Sequence, residues 1–166
     1  MIKVGIITAS DKGSQGERED LSGQLLGKLV KEIDGEVIEY AILPDDQELL
    51  AEKMISWVDG LKLDLILTTG GTGFSIRDVT PEATLRVADR LVPGIGEVMR
   101  AESLKITPKA MLSRAIAVIR KRTLIINMPG SPKAVAECWN AIVRALPHGL
   151  QILKGEASEC ATISEK

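Results

Sequence analysis

The sequence predicts an α/β fold, a three-layer α/β/α sandwich around a mainly parallel sheet, in a single domain. Three observations carry this. Short apolar runs alternate with stretches of helical periodicity in the order strand, helix, strand, helix, strand, loop, helix, which calls for right-handed crossovers and helices on both faces of a sheet. Each apolar run stops at a polar turn rich in Gly, Pro, Ser or Asp, as buried strands do where they leave a sheet. The 166 residues, 45% apolar and 27% charged, suit one domain able to bury about 70% of its unfolded surface. Residues 1–155 form that domain in this reading, and 156–166 a polar tail without pattern.

Val4-Gly5-Ile6-Ile7 reads as a buried first strand, followed by the polar turn Thr8 to Gly13. The connection runs on to Asp20, long for a compact domain and therefore either mobile or functional. Ser22 is placed as the N-cap of a helix whose Leu25, Leu26, Leu29, Val30 and Ile33 fall at helical spacing, and Asp34-Gly35 ends it. Glu36 to Leu43 makes a second strand that stops at the acidic turn Pro44-Asp45-Asp46. Leu49, Leu50, Met54, Ile55 and Val58 give the next helix its apolar face, with Gly60 just past its end.

Leu63, Leu65, Ile66 and Leu67 enter the third strand, and Thr68-Thr69 lead from it into Gly70, Gly71 and Gly73. Glycine tolerates positive φ and carries no Cβ, so this turn is able to aim several N–H groups at one spot, near the hydroxyls of Thr69, Thr72 and Ser75. Such a row of donors suits an anion, most often phosphate; a purely structural tight turn is the alternative. The turn is neither a P-loop, which needs Gly-Lys-Ser or Gly-Lys-Thr, nor a dinucleotide turn, whose third glycine is replaced by Ile76. A carboxylate beside phosphate repels it unless a divalent cation lies between them. Asp78 therefore reads either as a Mg²⁺ ligand or as a second cap beside Thr80. Thr80 as N-cap, Pro81 at the first helical position and Glu82 in the first turn start a helix there.

Pro93-Gly94 breaks that helix, and Glu97 to Lys105 forms another before Pro108. Ala115 to Ile119 and Thr123 to Met128 read as a pair of strands joined by Arg120-Lys121-Arg122. A Pro-Gly turn follows, with Ser131 as cap, Pro132 at N1, and a long helix carrying Ala134, Val135, Cys138, Trp139, Ile142 and Val143, near whose end His148 lies. Lys133 in the first turn opposes the helix dipole, which is sensible where an anion binds; a solvated lysine is the alternative. Ligands of open α/β sheets gather beyond the carboxyl ends of the strands, so Ser10-Asp11, Asp45-Asp46 and Gly70 to Asp78 are expected to share one rim.

Composition narrows the chemistry. A net charge of −2 argues against a broad nucleic-acid or anionic-membrane surface, and an aromatic content of 2% against a base-stacking platform. The sequence has no run of about eighteen apolar residues, and Met1-Ile2-Lys3 passes directly into a strand, so a cytoplasmic location is expected. Cys138 falls in a helical core pattern and Cys160 in the tail, which suggests no disulfide framework. With His148 the sole histidine, a His-based triad or multi-histidine metal site is excluded.

With GGTGFSIRDVTPEAT and INMPGSPKAVAEC both in view, the chain resembles the molybdopterin adenylyltransferase family of molybdenum-cofactor biosynthesis, the MogA/MoaB type. The resemblance spans nearly all of Val4 to Gly155. It includes Ser10-Asp11, Asp20-Leu21-Ser22-Gly23, Pro44-Asp45 and the run from Glu102 to Pro108. It implies an enzyme, usually a homotrimer, that joins the terminal phosphate of molybdopterin to the AMP part of ATP, releases pyrophosphate, and hands its product to a molybdenum-inserting protein. By the family's pattern Asp45 and Asp78 act through Mg²⁺, and Gly71, Thr72 and Gly73 with Ser75 cradle phosphate. Ser10, Asp11, Ser103, Ser131, Pro132 and Lys133 are implied contacts to pterin or nucleotide, and Thr107 to Arg122 a subunit contact. Asp46 stands where relatives often carry Glu. The alternative is a non-catalytic molybdopterin carrier or scaffold.

Overall fold

The computed structural model describes residues 1–156, so the expected tail, apart from Glu156, and Cys160 lie outside the described residues. Among the described residues six strands form one sheet: β1 (Ile2–Ala9), β2 (Gly35–Leu43), β3 (Leu65–Thr69), β4 (Arg90–Leu91), β5 (Ala117–Arg120) and β6 (Thr123–Met128). Their order is β2-β1-β3-β6-β5-β4, with β2, β1, β3 and β6 parallel and the β6-β5-β4 edge antiparallel. Seven α-helices accompany them among the described residues: α1 (Asp11–Ser14), α2 (Leu21–Leu29), α3 (Gln47–Ser56), α4 (Thr80–Arg86), α5 (Pro93–Leu104), α6 (Pro132–Ile142) and α7 (Leu146–Lys154).

The alternation of side chains along the strands divides the core into two. Val4, Ile6, Leu65, Leu67, Leu124 and Ile126 face a layer that supplies Leu26 of α2, Met99 of α5, Val135 and Trp139 of α6, and Leu150 of α7. Ile7, Ile66, Val118 and Ile125 face the other layer, where Leu50 and Met54 of α3 and Ala83 of α4 pack with Trp57, Val58 and Val87. The three-layer sandwich is therefore present as predicted, and its core is aliphatic apart from the two tryptophans. One polar group bridges sheet and helix. The buried Asn127 donates to Thr68 Oγ1 at 3.0 Å and to Thr84 Oγ1 at 2.8 Å, while its Oδ1 accepts from Ile116 N at 3.3 Å.

From β1 the chain goes to β2 on one side, then crosses back to β3 on the other. Connections leaving neighbouring strands in opposite directions open a crevice at their carboxyl ends, here between Ala9 and Thr69.

Four local expectations are corrected. Asp20, not Ser22, caps α2, its Oδ1 accepting from Gly23 N at 2.9 Å, because the Ser22 hydroxyl donates to Gly130 O at 2.7 Å instead. Thr80 opens α4 but caps nothing: its N–H bonds Gly71 O at 3.1 Å, and Val79 holds the cap position without a side-chain bond. Pro93 begins α5 where a break was expected, since α4 already ends at Arg86 and a proline lacks no needed N–H in a first helical turn. The long C-terminal helix is two, α6 and α7, with Pro147 in the first turn of the second.

Candidate active site

The crevice is shaped first by backbone. Gly70 (φ 89°) and Gly71 (φ 67°) take two successive left-handed steps directly off β3. A Cβ on Gly70 would collide with Ala9 O, and one on Gly71 with Thr80 Oγ1, so neither position admits a side chain without displacement. Arg114 then fixes the loop from outside. Its Nε donates to Gly73 O at 2.7 Å and its Nη2 to Asp78 O at 2.6 Å, and it forms an ion pair with Glu82. Beside this, Thr69 Oγ1 donates to Pro129 O at 2.7 Å, tying the glycine turn to the turn after β6.

The acids come next. Asp11 N donates to Asp45 Oδ2 and Asp45 N to Asp11 Oδ1, both at 3.0 Å, which joins the turns after β1 and β2. From the glycine loop Arg77 grips Asp11 with two parallel bonds, Nε to Oδ2 at 3.0 Å and Nη2 to Oδ1 at 2.9 Å. The Arg77 guanidinium, helped by the Asp45 N–H, holds the Asp11 carboxyl below its usual range. Asp45 moves the other way. Burial pushes its carboxyl up, and the negative charges of Asp11 and Asp78 add to this, against the lowering effects of the Asp11 N–H and of Arg77. Asp78 Oδ2 accepts from Ser75 N at 2.9 Å, so it braces its own loop and is not a second cap of α4. Asp46 has a local job, capping α3 through Leu49 N at 3.0 Å.

These groups surround a cavity of about 530 Å³ lined by Thr8 to Ser10, Asp20 to Ser22, Asp45, Gly70, Gly71, Asp78 and Gly130 to Pro132. Asp45 and Asp78 thus meet in one place, together with Ser10, Gly71, Ser131 and Pro132. A second cavity of about 280 Å³ adjoins it, lined in part by Thr72, Gly73, Ser103, Pro129 and Cys138, and there Ser103 Oγ lies 3.6 Å from Cys138 Sγ. The glycine loop contributes to both, Gly70 and Gly71 to the first and Thr72 and Gly73 to the second. Asp11, Ser75 and Lys133 line neither cavity; Lys133 is 81% exposed, 4.0 Å from Glu137. The Ser10 and Ser131 hydroxyls cap α1 and α6 through Gly13 N and Ala134 N, which places both at helix starts on the rim.

The sequence reading gave no role to Arg114, and none to the cluster in which Asp20 accepts from Thr8 Oγ1 and Tyr40 OH. Burial, then this carboxylate, pushes the Tyr40 hydroxyl upward. Arg114 precedes a strand and bonds back across 41 residues, so local periodicity offers no signal for it. Asp20 entered the sequence reading only as the end of the loop after β1 and within the family resemblance, and its bond to Gly23 N became visible only in the fold.

The chain has close relatives. Residues 5–148 match the family described as the probable molybdopterin binding domain. The chain is 43% identical to the molybdopterin adenylyltransferase of Helicobacter pylori strain J99 over 93% of its own length and 89% of that protein. It is 38% identical to the enzyme of the same name from Escherichia coli K12, over 96% and 89%. The crystal structure of the molybdopterin biosynthesis enzyme MoaB from Thermus thermophilus superposes with a TM-score of 0.88 at 46% identity, covering 93% of this chain and 98% of that one. A family match over most of the chain, relatives at this identity and a shared fold agree: the chain belongs to the molybdopterin-binding domain family, in its molybdopterin adenylyltransferase branch.

Proposed function

We propose that this chain is a molybdopterin adenylyltransferase using ATP and Mg²⁺. The observation that carries the reading is the meeting of Asp45 and Asp78 with the glycine turn at one cavity, at the switch point of the sheet. In the reaction an oxygen of the pterin's terminal phosphate attacks the α-phosphorus of ATP. A new P–O bond forms, the bond to the bridging oxygen of the β-phosphate breaks, and pyrophosphate leaves with that electron pair. The attacking phosphate is already largely deprotonated at neutral pH, so no base is needed, and bringing two polyanions into line is the main barrier.

The residues fit a Mg²⁺ that arrives with the triphosphate. Such an ion takes one or two protein carboxylates, and Asp45 and Asp78, which line the same cavity, would be the two that hold it. Held there, the ion would supply neutralisation of phosphate charge. The backbone from Gly70 to Gly73 lines both cavities, where its N–H groups would serve the phosphates of the two reactants. Arg77 keeps Asp11 neutralised, which leaves Asp45 as the partly buried carboxylate seeking a cation.

The test is pyrophosphate release from molybdopterin and ATP. Asp45→Asn and Asp78→Asn are each expected to slow AMP transfer on the order of a hundredfold while pterin binding persists. Undiminished turnover in both variants removes the assignment, and pterin binding without ATP binding in the unaltered protein identifies a carrier instead. We also place the protein in the cytoplasm, where ATP is supplied, and propose a homotrimer. The described residues contain no helix long and apolar enough to cross a membrane.

A further inference from the structure

One buried polar atom beside the site is left without a partner. Thr80 is fully buried, and its Oγ1 makes no hydrogen bond among the described residues. Its N–H is already bound to Gly71 O, so the residue is fixed by its backbone while its hydroxyl is free. Across the loop, Asp45 Oδ2 is held by Asp11 N, whereas no bond reaches Asp45 Oδ1 among the described residues. Both free oxygens border the space left by the missing Gly71 side chain: a Cβ there would strike Thr80 Oγ1 and stand 3.1 Å from Asp45 Oδ1. A donor without a partner and an acceptor with capacity to spare thus flank a loop position that cannot carry a side chain.

We propose that Thr80 is a positioning residue for AMP transfer, whose hydroxyl donates to Asp45 Oδ1 across Gly71 when the Mg²⁺–ATP complex is bound. This rests on the adenylylation reading. In the nucleotide-free chain an orphaned hydroxyl is worse than a methyl of the same shape, so threonine at this site is of no benefit to the resting fold. Its benefit comes with ligand. A bond to an ionised carboxylate is stronger than one between neutral groups, and fixing the second oxygen stops the carboxylate from rotating away from its cation.

The experiment compares Thr80→Val, which keeps the shape, with Thr80→Ser, which keeps the hydroxyl. Thermal denaturation in chelator is read beside Mg²⁺–ATP affinity by calorimetry. Thr80→Val is expected to melt at or above the unaltered protein and to bind Mg²⁺–ATP about tenfold more weakly. Thr80→Ser is expected to bind within about threefold of the unaltered protein. Full affinity in Thr80→Val, or an equal loss in Thr80→Ser, overturns the role of Thr80 while leaving adenylylation intact. Failure of the unaltered protein to bind Mg²⁺–ATP overturns the adenylylation reading and this inference together.

Discussion

In the folded chain the Asp45 carboxyl is harder to ionise than a free aspartate, because burial comes first and the charges of Asp11 and Asp78 come after it. A carboxyl raised in this way binds its proton more readily folded than unfolded. Its stabilising contribution is therefore fully present below the unfolded value near 3.8 and is lost as pH rises through the folded value. At neutral pH without metal, the ionised side chain opposes folding. Asp45→Asn is accordingly expected to raise the denaturation midpoint at pH 7 in chelator, with the gain shrinking as pH falls towards 3.8; guanidinium melts of both proteins across that range check it. A lower midpoint for the variant at pH 7 counts against the electrostatic account. The trade is common at sites kept for function: the carboxylate that destabilises the empty fold is the one with most to gain from a cation.

The glycine loop and its struts act as one element. Gly71 stands at positive φ with no room for a Cβ, so Gly71→Ala combines a left-handed penalty with overpacking against Thr80, together about 2–4 kcal/mol. Chemical denaturation measures that loss, and a change under about 1 kcal/mol shows that the turn can relax. Arg114→Ala releases two loop carbonyls and Glu82 at a partly exposed position, for about 1–3 kcal/mol. Because Arg114 braces the loop from outside, its loss is expected to raise KM for ATP more than it lowers kcat, and steady-state kinetics separates the two. An unaltered KM would mean that the loop holds its shape without that strut. At this scale the sequence was readable wherever a signal is local. Ser131-Pro132 opened α6 as expected, and the Gly70 to Gly73 turn followed β3. It was unreadable where the partner is distant: the Ser22 hydroxyl goes to Gly130, which leaves Asp20 as the cap, and Arg114 reaches back to Gly73.

For the whole molecule, alternating runs sufficed to predict two faces covered by helices, since Ile6 and Ile7, or Leu65 and Ile66, must point opposite ways. They could not give the order β2-β1-β3-β6-β5-β4, which depends on pairing between residues far apart in sequence, and so the meeting of Asp45 with Asp78 became visible only in the fold. Surface pattern adds one further consequence. Ile106 is 56% and Met111 63% exposed, Leu112 lies open beside them, and an apolar hollow of about 810 Å³ is lined by Val92, Ile95, Val98, Ile152 and Leu153. So much exposed aliphatic surface among the described residues fits an assembly better than a lone subunit. The proposed homotrimer would bury part of it through the segment from Thr107 to Arg122. Sedimentation is expected to give a trimer at micromolar concentration, and Ile106→Lys with Met111→Lys to shift it towards monomer without loss of helical circular dichroism. The cavity holding Asp45, Asp78 and Gly71 is built by a single chain, so the dissociated variant should still bind Mg²⁺–ATP. A monomeric unaltered protein rules out the assembly, whereas loss of nucleotide binding on dissociation would show that the neighbouring subunit completes the site.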